Sequence, residues 1–274
     1  MTALPAARVA DYAARGFLAP LPAIGAAAAA DARAKLEAFE RAQGHPLKGD
    51  QRHKSHLLFT WLDAIVRHPA IVGPVAEILG PDLLVWNSNF FVKEPGDRGF
   101  VSWHQDSTYW GLSEPEVLTA WVAFSPSTRA SGCMRVVPGS HLHDQLPHRE
   151  RVDRDNMLSR GQEVAVAVDE AQAVDLELAP GEMSLHHVRI VHGSAPNVAA
   201  DRRIGFAIRY VPTRVRQLRG RDTAMLASGV DRYGHFDPEP RPQADCDDAA
   251  RAAHAEVMRR HAALVMAGSS AALR

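Results

Sequence analysis

A histidine and a carboxylate stand two positions apart in the stretch VSWHQDSTYW, residues 101–110. Alternate side chains of a β-strand face the same side, so His104 and Asp106 are predicted to project together while Gln105 points away. Two such side chains can bind one metal ion as neighbouring ligands. A strand that carries a surface ion pair is the alternative, and the two residues alone do not decide between the two interpretations.

The stretch SLHHVRIVHGSAPN offers His186, His187 and His192 as a third ligand. His192 is favoured because it ends an apolar run directly before a Gly-Ser turn, where a side chain can reach the mouth of a jelly roll. Two histidines and one carboxylate form the facial triad of non-haem Fe(II) oxygenases, which leaves coordination positions open for a cosubstrate and dioxygen. Zinc accepts the same donors, so the triad alone does not fix the metal.

Two arginines follow in the next apolar run, DRRIGFAIRYVP. Arg203 is predicted to return on an antiparallel strand, where its guanidinium can form a bidentate pair with a carboxylate. Such an anchor suits the distal carboxylate of 2-oxoglutarate, whose keto acid end would chelate the iron. Strand parity places Arg209 on the same face, so it is a second candidate for this role.

The sequence around these residues changes character along the chain. Residues 1–80 are predicted to be helical, with one helix ending at Gly44 and a stretch ending at Gly80 that Pro69 and Pro74 should split in two. Residues 81–212 hold seven or eight short apolar runs between Pro and Gly turn signals. Because no long helices separate these runs, they predict a mainly β protein with flanking helices and a double-stranded β-helix core, the jelly roll of cupin-like folds.

Two long polar stretches interrupt this pattern, at about 141–163 and again from residue 213 to the C-terminal helix, which should end at Gly268. Long loops in a compact domain are often lids. The expected organisation is one domain over residues 1–274. It comprises helical support at 1–80, a jelly-roll core with the first lid loop at 81–212, and the second lid loop with the C-terminal helix at 213–274.

Composition limits the partners and the compartment. There are 31 Lys and Arg residues against 32 Asp and Glu, so no global field recruits nucleic acid or a membrane surface, and a small-molecule partner is expected. The two cysteines, Cys133 and Cys246, are too far apart in sequence to suggest a zinc site or a disulfide scaffold. No apolar segment reads as a signal peptide or membrane span, and a cytoplasmic location is expected.

The chain resembles the phytanoyl-CoA dioxygenase family of Fe(II)- and 2-oxoglutarate-dependent oxygenases, which includes ectoine hydroxylases. The resemblance extends from Leu83 to Pro212. Six blocks carry it, in the family's order: FVKEPG, WHQDSTYW, LTAWVAF, SGCMRVVPGSH, LAPGEMSLHHVRIVHGSAPN and RRIGFAIRYVP.

The resemblance implies roles for individual positions. The residues that match the family's iron ligands are His104, Asp106 and His192, and Arg203 matches the arginine that holds the distal carboxylate of 2-oxoglutarate. Positions that help to hold this cosubstrate are matched by Lys93, Thr119 and Ser194. Pocket positions near cosubstrate or substrate are matched by Asn87, Trp110 and Trp121.

The resemblance also implies a reaction. With Fe(II), 2-oxoglutarate and O2, such an enzyme hydroxylates an unactivated C–H bond of a small polar or anionic metabolite and releases succinate and CO2. Related halogenases carry a small residue in place of the metal carboxylate, so Asp106 favours hydroxylation. The alternative is a jelly-roll metal protein that acts as a zinc hydrolase or binds a small acid without turnover. The sequence does not indicate the oligomeric state.

Several other polar residues are weaker candidates. Lys54, in a charged segment before the first apolar helix, is a candidate substrate contact. His141, His143 and His148 follow a PGS turn and are predicted to be solvated in a polar loop rather than to bind metal. Charged residues in the second polar stretch hint at a small polar or anionic substrate, although a solvated loop has the same composition: Arg216, Arg219, Arg221, Asp231 and Arg232.

Overall fold

The apolar runs of the middle of the chain form the strands of two sheets that enclose a cavity. The computed structural model describes residues 4–151, 153–158 and 161–265, and the side chains of these except 108, 109 and 265. Within these residues, seven strands form the larger sheet, listed here in spatial order: β1 (Phe17–Pro22), β9 (Glu182–His187), β4 (Leu118–Ala123), β11 (Arg203–Pro212), β2 (Leu83–Lys93), β12 (Thr223–Ser228) and β13 (Asp237–Pro238).

The smaller sheet carries four strands in the described part of the chain, in the order β3 (Val101–His104), β10 (His192–Ser194), β5 (Met134–Val136) and β8 (Val174–Leu176). A separate two-stranded ribbon pairs β6 (His148–Glu150) with β7 (Gln162–Val164). Apart from the parallel β12 and β13 pair, neighbouring strands are antiparallel. This is the predicted jelly-roll core.

Strand β11 is the centre of the larger sheet, and every residue along it is buried. It pairs with β2 along its whole length, so Arg203 lies opposite Lys93. On its other side it pairs with β4, which brings Arg209 opposite Thr119. The polar residues on this strand therefore lie beside polar residues of both neighbours, on the face that meets the smaller sheet.

Helices pack against the opposite face of the larger sheet, and the last of them also reaches the cavity side. Their bounds are α1 (Ala6–Arg15), α2 (Ala26–Gln43), α3 (Thr60–Val66), α4 (Pro69–Leu79) and α5 (Asp248–Val265). One buried cluster joins Leu36 of α2 and Leu62 of α3 to Phe206 and Ile208 of β11. Burial of such side chains supplies much of the free energy that holds helices to a sheet.

The predicted helix boundaries are confirmed at Gly44 and Pro69. Gly44 ends α2 with a φ of 79°, a left-handed conformation that favours glycine. Pro69 starts α4, where the missing N–H costs nothing. Pro74, however, lies buried inside α4 and does not split it. The predicted C-terminal boundary at Gly268 lies outside the described residues.

Three segments differ from their sequence-based interpretation. Strand β1 lies in the region predicted to be helical; it is an edge strand, where prolines are tolerated because one side needs no backbone donors. Strand β12 lies in the stretch interpreted as a lid and instead extends the larger sheet. The first polar stretch contains β6, which pairs with β7. Among the described helices, none has both the length and the apolar character needed to cross a membrane.

Candidate active site

The predicted metal ligands meet at one wall of a cavity between the two sheets, which we call the inner cavity. His104 is the last residue of β3 and lies directly opposite His192, the first residue of β10. Asp106 opens a 3-10 helix, Asp106–Tyr109, so the strand ends between the two ligands. One ligand atom from each of the three buried residues lies within 4.8 Å of the others, and His104 Nε2 is 3.3 Å from Asp106 Oδ1.

Backbone carbonyl groups orient both imidazole rings. His104 Nδ1 lies 2.9 Å from the Ser102 carbonyl oxygen, and His192 Nδ1 lies 3.0 Å from that of Ile190. Because a carbonyl group only accepts, each Nδ1 carries a proton and donates it. The Nε2 lone pairs are then free for a cation, as second-layer hydrogen bonds commonly arrange for metal-ligating histidines.

The charges of the three residues also suit a divalent cation. Burial alone raises the pKa of Asp106, but the close His104 and the positive charges around the carboxylate outweigh it and hold the pKa below its usual range. Burial, together with His104, holds the pKa of His192 well below its ordinary value, so the ring is neutral at neutral pH. Two imidazoles and one carboxylate are the donor set that Fe(II) accepts in facial triads.

Arg203 lines the same inner cavity and is almost completely buried. Its Nη1 donates to the Gly132 carbonyl oxygen at 2.5 Å, and its guanidinium lies 5.3 Å from the centroid of the Trp121 ring. Burial lowers its pKa to about 10, which still leaves it charged at neutral pH. Among the described residues no carboxylate pairs with it, and its Nε has no hydrogen-bond partner. The cavity therefore contains a buried cation that can bind an anionic ligand.

The other predicted cosubstrate contacts surround Arg203. Thr119 and Ser194 line the inner cavity, and the buried Thr119 Oγ1 has no hydrogen-bond partner among the described residues. Lys93 lies behind Ser194: its Nζ donates to Ser194 Oγ at 2.7 Å and to the Ala195 carbonyl oxygen. Burial and the nearby charge of Arg203 lower the pKa of Lys93 to about 6.

Two residues that the sequence left undecided also line the inner cavity. The Arg209 guanidinium donates to Asn89 Oδ1, and its Nε lies 4.0 Å from Asp106 Oδ2. The His186 ring centroid lies 5.1 Å from that of His192. Arg209 thus shares a face with Arg203, as strand parity predicts. Its guanidinium lies beside Asp106, the carboxylate of the metal triad.

The other histidines of these two sequence stretches do not line the inner cavity. His187 packs against the ring of His141, and neither residue belongs to the inner cavity. The prediction that His141 is solvated is wrong, because this side chain is buried and its Nε2 lies 3.0 Å from the Ala13 carbonyl oxygen. The half-buried His148 accepts the backbone N–H of Gln105 at 2.9 Å, whereas His143 is exposed.

A second, larger space adjoins the first and shares Phe91, Asp106 and Arg209 with it. We call it the outer cavity. Its walls come from the segment 49–53, strand β2, the polar stretch at 154–158 and helix α5. Of the three predicted pocket residues, Asn87 and Trp110 line the outer cavity and Trp121 lines the inner one. The Arg209 guanidinium lies 5.0 Å from the centroid of the Trp110 ring.

Lys54 does not line either cavity. Its ammonium group is fully buried, forms an ion pair with Glu239 and donates to the Thr223 carbonyl oxygen at 3.0 Å. The interpretation of Lys54 as a substrate contact therefore has no support in the structure. The charged segment that contains Lys54 has the composition of a solvated surface segment. In the structure, Lys54 instead pairs with Glu239 from the second polar stretch, which is distant in sequence.

Sequence reasoning missed a hydrogen-bonded chain that ends at Asn87. Asp222 Oδ2 lies 3.1 Å from His261 Nδ1, and His261 Nε2 lies 3.2 Å from Asn87 Nδ2. The same Asp222 oxygen accepts from Trp86 Nε1 at 2.8 Å. The chain fixes the Asn87 amide at the wall of the outer cavity. No local sequence signal predicts it, since His261 reaches β2 only through the packing of α5.

The comparisons with known proteins agree with this geometry. The family model "Phytanoyl-CoA dioxygenase (PhyH)" matches residues 3–205. A solved structure described as the non-heme monooxygenase ThoJ is 38% identical, covers 94% of this chain and 96% of that chain, and superposes with a TM-score of 0.84. A structure of CytC3 with Fe(II) and alpha-ketoglutarate is 26% identical, covers 89% of this chain and 96% of that chain, and has a TM-score of 0.66.

A curated relative from Stutzerimonas stutzeri carries the name "Probable alpha-ketoglutarate-dependent hypophosphite dioxygenase"; it is 32% identical over 176 residues, which are 62% of this chain and 61% of the relative. L-proline trans-4-hydroxylase of Streptomyces griseoviridis is 28% identical over 163 residues, 53% of this chain and 61% of the relative. The matched part thus spans about three fifths of the length of these two curated relatives. On the extent of the family match, this chain belongs to the phytanoyl-CoA dioxygenase family.

Proposed function

We propose that the protein is an Fe(II)- and 2-oxoglutarate-dependent dioxygenase that hydroxylates an unactivated C–H bond of a small polar or anionic molecule. One observation carries this proposal: the triad of His104, Asp106 and His192 shares a cavity with Arg203, a buried cation that has no carboxylate partner among the described residues.

The residues of the chain have separate tasks in this reaction. His104, Asp106 and His192 would hold the iron, which supplies the centre where 2-oxoglutarate and O2 react to give succinate, CO2 and one oxygen atom for the substrate C–H bond. Arg203 would bind the distal carboxylate of 2-oxoglutarate, with Thr119 and Ser194 beside it. Apolar walls such as Phe91 and Trp121 exclude water from these charged groups.

The intact carboxylate of Asp106 supports hydroxylation over halogenation. A halide could bind the metal in its place only if this side chain were small. Here the carboxylate lies in the triad, and Arg209 is at 4.0 Å on its other side. A zinc hydrolase would share the triad but would have no use for the buried Arg203, so the alternative reaction class is not favoured.

The outer cavity is the proposed substrate chamber, because it borders the metal site at Asp106 and Arg209. The segment 154–158 of the first polar stretch forms part of its wall, which supports a covering role for that stretch.

We further propose that residues 1–274 act as one domain, since the helices and the sheet share a buried cluster. The names of the relatives include a hydroxylase of L-proline and a probable dioxygenase of hypophosphite, and substrates of similar size fit this proposal.

The direct test is succinate formation by the purified protein with Fe(II), ascorbate and 2-oxoglutarate, across a panel of amino acids, small carboxylic acids and phosphorus oxyanions. We expect slow succinate release without substrate and faster release with a member of the panel. His104→Ala should abolish both iron binding and turnover, because it removes one of three ligands. If Zn(II) binds tightly and no succinate forms under any condition, the proposal is wrong.

A further inference from the structure

The outer cavity contains a cation that the proposed reaction does not use. Arg52 ends the 3-10 helix Gly49–Arg52 and lines this cavity with a half-buried side chain. Its Nε is buried without a hydrogen-bond partner among the described residues. Burial lowers the pKa of Arg52, and no carboxylate in the described part of the chain offsets that effect. Withdrawing a guanidinium from water without a counter-ion is unfavourable, so an occupant that supplies the negative charge would be stabilised.

The carboxylates around the outer cavity are engaged elsewhere or exposed. Asp155 lies 3.3 Å from Arg98 and 3.5 Å from Arg154, and Asp97 accepts the backbone N–H of Gly99. Asp106 belongs to the metal triad. Asp50 is exposed, and its charge acts on His254. None of these four carboxylates forms an ion pair with Arg52.

The surroundings of Arg52 are otherwise basic or neutral. His53 follows it in sequence and lines the same cavity. Burial, together with the smaller effect of the positive charges of Arg52, His261, Arg209 and His254, lowers the pKa of His53 to about 3. The imidazole therefore stays neutral at neutral pH, and the local electrostatic field favours an anion.

From this geometry we propose that Arg52 is the anchor of an oxyanion subsite in the outer cavity, which binds a carboxylate or a phosphorus oxyanion of the substrate. The inference rests on the proposed function and adds the substrate class and its recognising residue. Because the outer cavity borders Asp106 and Arg209, an anion at Arg52 would direct the rest of the molecule toward the metal site. A guanidinium suits this role because its fork of donors matches both kinds of oxyanion.

The arginines that hinted at an anionic substrate in sequence do not supply this subsite. Arg221 pairs with Asp237 and Arg232 pairs with Asp82, all on exposed or half-exposed side chains. Neither arginine lines the inner or the outer cavity. The candidate contact for an anionic substrate is therefore Arg52, a residue that sequence analysis did not single out.

The test measures anion binding without turnover. The full chain is saturated with Ni(II) and 2-oxoglutarate, so that the triad and Arg203 are occupied, and is titrated calorimetrically with acetate in one arm and methylphosphonate in the other. We expect saturable binding of at least one anion, weakened about ten-fold or more in Arg52→Gln, since hydrogen bonds between charged groups contribute about that much. The arm that binds more tightly identifies the class of oxyanion. Arg52→Lys should bind more weakly than the wild type but better than Arg52→Gln.

Arg232→Gln is the matched control, because it removes one positive charge from an exposed ion pair far from the cavity lining. It should leave both affinities unchanged. Thermal unfolding verifies that each variant is folded, and Arg52→Gln should not lower the melting temperature because Arg52 has no ion-pair partner to lose among the described residues. Absence of binding in the wild type, or equal affinities of wild type and Arg52→Gln, would overturn the inference. Succinate formation is measured separately, so failure of the subsite is distinguishable from failure of the proposed function.

Discussion

At the scale of single residues, the inner cavity places charged side chains where ligands of opposite charge can bind. The metal site brings together a carboxylate and two imidazoles, while Arg203 lies beside a carbonyl group and an aromatic ring and has no carboxylate partner among the described residues. Burying such groups costs free energy, and that cost is recovered only in the loaded protein. Ligands that restore charge balance should therefore bind and stabilise the fold together.

Lys93 should take up a proton when 2-oxoglutarate binds. Burial and Arg203 hold its pKa at about 6, so most of the ammonium group is deprotonated near pH 7.5. A dianion beside Arg203 would offset that positive charge and raise the pKa of Lys93. Because binding then takes up protons, the affinity for 2-oxoglutarate should fall as the pH rises from about 6.

Calorimetric titration of the Ni(II)-loaded protein in two buffers with different ionisation enthalpies measures this uptake. Lys93→Met should reduce the number of protons taken up and flatten the pH dependence of the affinity. Equal proton uptake in the wild type and in Lys93→Met would show that another group is responsible.

At the scale of elements, the strands that carry the site were predictable and the contacts between distant elements were not. The apolar runs of β2, β4, β9 and β11 are visible in sequence because their burial follows from composition. Strand alternation placed Arg203 and Arg209 on one face correctly. For His104 and Asp106 it found the right pair, although the strand ends between them and a 3-10 helix completes the geometry.

Contacts that depend on packing had no local signal. Helix α5 brings His261 to β2, and the 3-10 helix that ends at Arg52 lies at the outer cavity only because the backbone of His53 bridges Asn89 of β2. Strand β1 was missed because its two prolines suggest a break, although an edge position tolerates them. Such features depend on which elements pack together, and local propensity does not contain that information.

Gly205 of β11 should not tolerate even the smallest side chain. A Cβ there would lie 1.8 Å from Trp121 Cζ2 and 2.3 Å from Cε2, and this indole lines the inner cavity between Arg203 and the metal wall. Gly205→Ala should displace the indole, destabilise the protein by about 1–3 kcal/mol, and weaken 2-oxoglutarate binding. Urea unfolding and calorimetric titration measure the two effects.

Gly73 provides the matched control for that substitution. It lies within α4, and a Cβ there meets nothing within 4 Å. Gly73→Ala should be neutral or stabilise by up to about 1 kcal/mol, because alanine has the higher helix propensity. If Gly205→Ala behaved like Gly73→Ala, the close contact with Trp121 would not constrain the site.

At the scale of the whole molecule, a buried cluster of charges connects segments that are far apart in sequence. Glu239 accepts from Lys54 and from Thr223 Oγ1 at 2.7 Å, and its other oxygen lies 3.0 Å from His56 Nε2. His56 Nδ1 in turn lies 2.7 Å from Ser88 Oγ of β2. The cluster thus joins the N-terminal region, the central strand β2 and the second polar stretch behind the outer cavity.

Lys54→Met should destabilise the protein strongly without changing ligand affinity. Removing one partner of a fully buried ion pair leaves an uncompensated charge, which costs about 3–5 kcal/mol. The double variant Lys54→Met/Glu239→Gln should recover much of that loss, because the remaining charge is also removed. Since Lys54 lines neither cavity, the affinity of the folded Lys54→Met protein for 2-oxoglutarate and for acetate should equal that of the wild type. A selective loss of affinity with unchanged stability would return Lys54 to the substrate site.

The same cluster predicts how acid should unfold the protein. Burial raises the pKa of Glu239, but Lys54 and His56 outweigh it and lower the pKa to about 2, below its ordinary value of 4.5. A carboxylate with a lowered folded-state pKa binds fewer protons in the folded state than in the unfolded state. Its stabilising contribution is therefore complete above about pH 4.5 and is lost as the pH falls toward 2. Urea unfolding from pH 6 to pH 3 should show this loss in the wild type and a smaller loss in the double variant, and equal slopes would contradict the role assigned to Glu239.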